Sequence, residues 1–73
     1  MDNDGYSNLA NAIIIQAAND YRKARKQLKV NPNYKYALRT MVDVVSFFES
    51  DWFNQLTDVD SDYILRRLAR EEI

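Results

Sequence analysis

Val30-Asn31-Pro32-Asn33 is the clearest punctuation in this chain, and its reading decides the fold. The residue before a proline is pushed away from helical backbone angles, so a helix that reaches Val30 ends there. Asn31 is suited to cap a second helix with Pro32 in its first position, where the missing N–H costs little. Upstream, Ala10, Ile14, Ala17, Tyr21, Ala24 and Leu28 recur at alternating spacings of four and three, the seam of one helix face. Downstream, Tyr34, Leu38, Met41, Val45 and Phe48 repeat the pattern and predict a helix to about Glu49. Two long helices joined by so short a turn should lie antiparallel.

The ends follow from the same rules. Met1 to Tyr6, rich in Asp, Asn and Gly, reads as a mobile lead-in, with Ser7 or Asn8 capping the first helix. Residues 7–73 then form one helical domain. Ser50 and Asp51 compete for backbone hydrogen bonds, which favours a break over one continuous helix to Leu56. Ser50 would cap a short helix carrying Trp52, Phe53 and Leu56 as an apolar wedge. Thr57 to Asp62 is a polar connection, and Thr57 with Asp60, or Asp60 and Ser61 alone, opens a last helix with Ile64, Leu65 and Leu68 on its apolar face. Arg66, Arg67 and Arg70 near its C-terminus complement the helix dipole.

The expected fold class is therefore all-α: a small bundle of two longer antiparallel helices plus one or two short C-terminal helices. One glycine and one proline in 73 residues leave too few turn residues for a sheet protein. The predicted core is Ile14, Tyr21, Leu28, Leu38, Met41, Val45, Phe48, Trp52, Phe53, Leu56 and Leu68.

Composition removes several functions. Neither Cys nor His occurs, so zinc, haem and most transition-metal sites lose their usual ligands, and Ser46, Ser50 and Ser61 have no His to activate them. Four short helices around one core seldom enclose a catalytic pocket. The expectation is no enzyme, no cofactor and no metal. Asp58-x-Asp60-x-Asp62 evokes a calcium loop, but an EF-hand needs Gly at its sixth position and Glu at its twelfth, where this chain has Tyr63 and Ala69. Helix capping explains these aspartates better. No apolar run reaches the ~20 residues of a membrane span, and the acidic start is unlike a signal peptide, so a cytoplasmic protein is expected.

The net charge of -1 hides a division along the chain. Residues 21–40 carry seven Lys/Arg and no acid, and residues 41–65 carry six Asp/Glu and no base. Either the halves neutralise each other in the fold or each faces a partner. Arg22, Lys23, Arg25, Lys26 and Lys29 form a candidate basic face that could track phosphates, with Tyr34 and Tyr36 nearby for stacking. The acidic half could instead meet a basic partner. The strongest signal is excess apolar surface: eight of the ten residues from Leu9 to Ala18 are apolar, more than one small core covers. Leu9, Ile13, Ile15, Val42 and Val44 are the candidate interface.

Ala17-x-x-x-Tyr21-Arg22-Lys23-Ala24, then Phe47-Phe48-x-Ser50-Asp51-Trp52-Phe53-x-x-Leu56-Thr57, then Asp58-x-Asp60-x-x-Tyr63-Ile64 through Leu68, resembles small helical proteins of Firmicutes bacteriophages and integrated mobile elements. Ser61 stands where such sequences often carry glycine. The resemblance implies a phage or bacterial setting and assigns no catalytic residue. Together these readings give a non-enzymatic helical interaction module, self-associating, with a protein partner that could modulate a host process. The second reading is a small nucleic-acid-binding accessory protein that uses the basic face of the first helix.

Overall fold

The computed structural model describes residues 4–71, with side chains from Asn8 onward, and over this range the chain is all-α. Four helices follow in order: α1 Asp4–Val30, α2 Lys35–Phe48, α3 Asp51–Leu56 and α4 Ser61–Arg70. The first helix begins at Asp4 rather than at Ser7 or Asn8. Of the expected lead-in, Met1–Asn3 lies outside the described residues, as do Glu72 and Ile73. The molecule is elongated, 47 × 21 × 18 Å. At a rise of about 1.5 Å per residue, α1 alone accounts for about 40 Å of that length.

The turn after Val30 works differently from the expected cap. Pro32 is not the first residue of α2, which starts three positions later behind Tyr34 with no side-chain cap. The Asn31 side chain accepts from the Asn33 N–H at 3.2 Å, and its carbonyl accepts from the Tyr34 N–H at 3.0 Å. Pro32 thus takes the second position of a tight turn, where its fixed φ is equally at home. Asn31 stabilises the turn itself and leaves the helix start to Tyr34.

α1 buries the predicted seam: Ala10, Tyr21 and Ala24 are buried, with Ile14, Ala17 and Leu28 half-buried. On α2 the buried face is rotated from the expected one. Ala37, Val44 and Phe48 are buried and Met41 is half-buried, whereas Leu38 is 45% exposed and Tyr34 is also exposed. The reason is size. Ala24 and Ala37 are almost wholly buried, and small side chains at a helix contact let two helices approach closely, which favours the face of α2 that carries Ala37 over the one that carries Leu38. Leu38 therefore leaves the predicted core, and Val44 leaves the predicted interface to join it.

The helix does break at Ser50. Its Oγ accepts from the Phe53 N–H at 3.2 Å and donates to the Phe47 carbonyl at 2.7 Å, so one hydroxyl ends α2 and caps α3. This fixes the phase of the single-turn α3. Phe53 points inward and is fully buried, Leu56 is half-buried, and Trp52 is 52% exposed. Trp52 is thus not a core residue: a six-residue helix has one inward side, and Phe53 occupies it. The core is Tyr21, Val44, Phe48, Phe53 and Leu68, with Ile14, Met41, Val45, Ile64 and Leu65 packed around it.

α4 is held on α1 partly by polar contacts. The Arg22 guanidinium donates from Nε to Glu71 Oε1 at 2.7 Å and from Nη2 to Oε2 at 2.8 Å, and Arg25 Nη1 donates to the Leu68 carbonyl at 2.7 Å. The hydrogen bond to Arg22 holds the Glu71 carboxyl below its ordinary range; desolvation opposes it, and the nearby charges of Arg22, Arg25 and Arg67 lower it further. The docked state therefore favours ionised Glu71. Its contribution is present above the ordinary carboxylate range and is lost as pH falls through the lowered value. Acidification should free the C-terminal turn of α4 from α1, seen as faster amide exchange around Leu68–Glu71, while global urea unfolding barely changes because the pair is solvent-exposed. Unchanged exchange there at low pH would show that Leu68 burial alone holds the turn.

Candidate interaction surface

A groove runs along one side of the α1–α2 pair. At one end, Ile13, Ala17, Val44, Phe47 and Trp52 line a cleft of about 270 Å³ whose edges carry Gln16, Asp20 and Asp43. Ring contacts position the aromatics: Phe47 sits edge-on to Trp52 at 5.6 Å and to buried Phe53 at 5.7 Å. Phe53 is anchored in the core, so Trp52 is held from beneath while half its surface faces solvent. A rigid, half-exposed tryptophan at the mouth of an apolar cleft is a typical anchor of protein interfaces.

The groove continues past Asp20, which also lines the next segment with Lys23, Gln27, Tyr34, Tyr36 and Thr40. It opens at the α1–α2 turn against Lys26, Val30 and Asn31. Here large apolar side chains are unusually bare: Val30 is 88% and Tyr36 77% exposed. Tyr34 and Tyr36 touch edge-on at 5.9 Å.

The predicted interface residues scatter across the surface. Ile13 lies in the cleft, and exposed Leu9 precedes it by one helical turn on the same side. Ile15 is exposed on the opposite side of α1, and Val42 is exposed on α2. Val44 forms the cleft floor from its buried position. Trp52 and Tyr36 belong to the surface but were not among the predicted interface residues. Trp52 follows the apolar period of α2, which hides its exposure at the sequence level.

The candidate basic face is divided. Arg22 and Arg25 are engaged by α4, while Lys23, Lys26 and Lys29 are exposed. The two charged halves of the chain neutralise each other little: among the described residues, the acids of the 41–65 segment make one ion pair, Asp43 with Arg39 at 3.5 Å on α2 itself. Asp60 Oδ1 caps α4 by accepting from the Asp62 N–H at 3.0 Å. Among the described residues, no three carboxylates converge as a metal cluster, and no helix is long and apolar enough to cross a membrane.

No protein-family model, curated protein or solved structure matches the chain.

Proposed function

We propose that this protein is a non-enzymatic, self-associating interaction module of phage or mobile-element origin that acts in the cytoplasm, with its two long helices antiparallel. The observation that carries this reading is Trp52, half exposed over the cleft of Ile13, Ala17, Val44 and Phe47. Uncovered apolar surface of this kind on a small domain marks a partner site. Nucleic-acid binding draws less support, because Arg22 is paired with Glu71 and Arg25 is turned to the Leu68 carbonyl, which takes two of the five basic residues of that face into contacts within the fold.

The test separates binding from folding. Trp52→Ala should cost no more than about 1 kcal/mol in urea unfolding, because half the ring already faces water. The same change should weaken association by tenfold or more in sedimentation equilibrium, as expected for an interface anchor. Unaltered association would move the binding surface away from the cleft.

A further inference from the structure

We infer that the partner of this groove is a second copy of the chain, lying antiparallel across it about a two-fold axis. This inference rests on the self-association proposed above and adds the surface and the register. Six of the α1 residues that line the groove, Ile13, Gln16, Asp20, Lys23, Gln27 and Val30, fall in a symmetric order, while Ala17 falls opposite Lys26 about the same midpoint. The order is its own complement when reversed. About the midpoint between Tyr21 and Arg22, Ile13 meets Val30, Gln16 meets Gln27 and Asp20 meets Lys23. Apolar side chains face apolar ones, amides face amides, and acid faces base.

The groove side of α2 obeys the same symmetry. About the midpoint between Met41 and Val42, Tyr36 meets Phe47 and Thr40 meets Asp43. Asp20 lines one groove segment with Asp43 and the next with Thr40, so the two midpoints lie at the same level of the helix pair. One two-fold axis therefore serves both helices, and every match is made twice, as an isologous interface requires.

Charge favours this arrangement over a parallel pairing of α1 with its own copy. A parallel pairing would set Asp20 on Asp20 and Lys23 on Lys23. Among the described residues, neither Asp20 nor Lys23 has an ion-pair partner within its own copy, and Asp20 accepts one hydrogen bond, from Gln16 at 2.9 Å. The dimer would also cover Val30 and Tyr36, whose exposure the single chain does not explain. With a molecule 21 Å wide and about 26 Å of helix from Ile13 to Val30, the face offers roughly 1,100 Å² over both copies, near the lower bound for a specific interface.

The experiment uses the full chain at low salt. Sedimentation equilibrium at about 50 μM, a concentration that detects micromolar pairing, should show a dimer. Asp20→Lys and Lys23→Asp each set like charges together at the axis and should weaken it at least tenfold, whereas the combined swap should return it to near the wild-type value. The chain has no cysteine, so register can be read directly with a short bismaleimide. A mixture of Ile13→Cys and Val30→Cys copies should cross-link, and either variant alone should not. A wild-type dimer that ignores the charge swaps and gives no Ile13–Val30 cross-link overturns this register while leaving self-association intact. A wild-type monomer overturns both.

Discussion

Phe53→Ala is expected to remove about 3–5 kcal/mol of stability. Phe53 is fully buried, touches the rings of Phe47 and Phe48 at 5.7 and 5.3 Å, and is the buried residue that α3 contributes to the core. Its loss leaves a cavity that a short helix, fastened by one serine cap, can close only by shifting. A domain of this length has roughly 4–11 kcal/mol in total, so the variant should be partly unfolded in dilute urea. The neighbouring Trp52→Ala is the internal control: of two adjacent aromatics on one short helix, the exposed one should cost far less stability than the buried one. Loss of less than about 1 kcal/mol for Phe53→Ala in urea unfolding would show that α3 is not integral to the core.

Ala37→Leu should cost about 1–3 kcal/mol, the range for overpacking a close-packed interior. Ala37 of α2 and Ala24 of α1 are both almost wholly buried. Interhelical distance follows the size of the side chains at the contact, so a leucine there must push α2 outward. That movement would also widen the groove and weaken the proposed dimer. Ala37→Ser, nearly the same size, should be far milder. A neutral or stabilising Ala37→Leu in urea unfolding would mean that the helices leave room between them.

The seam of α1 was legible because a long helix with one buried stripe imposes a clear period, and Ala10, Tyr21 and Ala24 all lie on it. The break at Ser50 was legible because a hydroxyl that caps one helix and ends another is local chemistry. The face of α2 was not. Val42, Val44, Val45 and Phe47 make it apolar nearly all round, so period alone could not say that Val44 turns inward and Leu38 outward. Trp52 failed for a related reason: apolar character marks what is able to be buried, while the phase of a single helical turn decides what is.

Charge divides in the same way. The sequence placed a basic half and an acidic half along the chain, and could not say whether they meet. The fold engages Arg22 and Arg25 with the end of α4 and leaves most of the acids without a basic neighbour among the described residues. By itself, the sequence determined an all-α chain, the helix end at Val30, the caps at Ser50 and Asp60 and the buried stripe of α1, because those follow from backbone rules acting over a few residues. Only the tertiary structure decided which side of α2 is core, that Trp52 lies over a groove and that Asp20 and Lys23 share its wall. Those depend on which faces of two helices meet, and the buried Ala24 of α1 and Ala37 of α2 lie thirteen positions apart in the chain, beyond the reach of local periodicity.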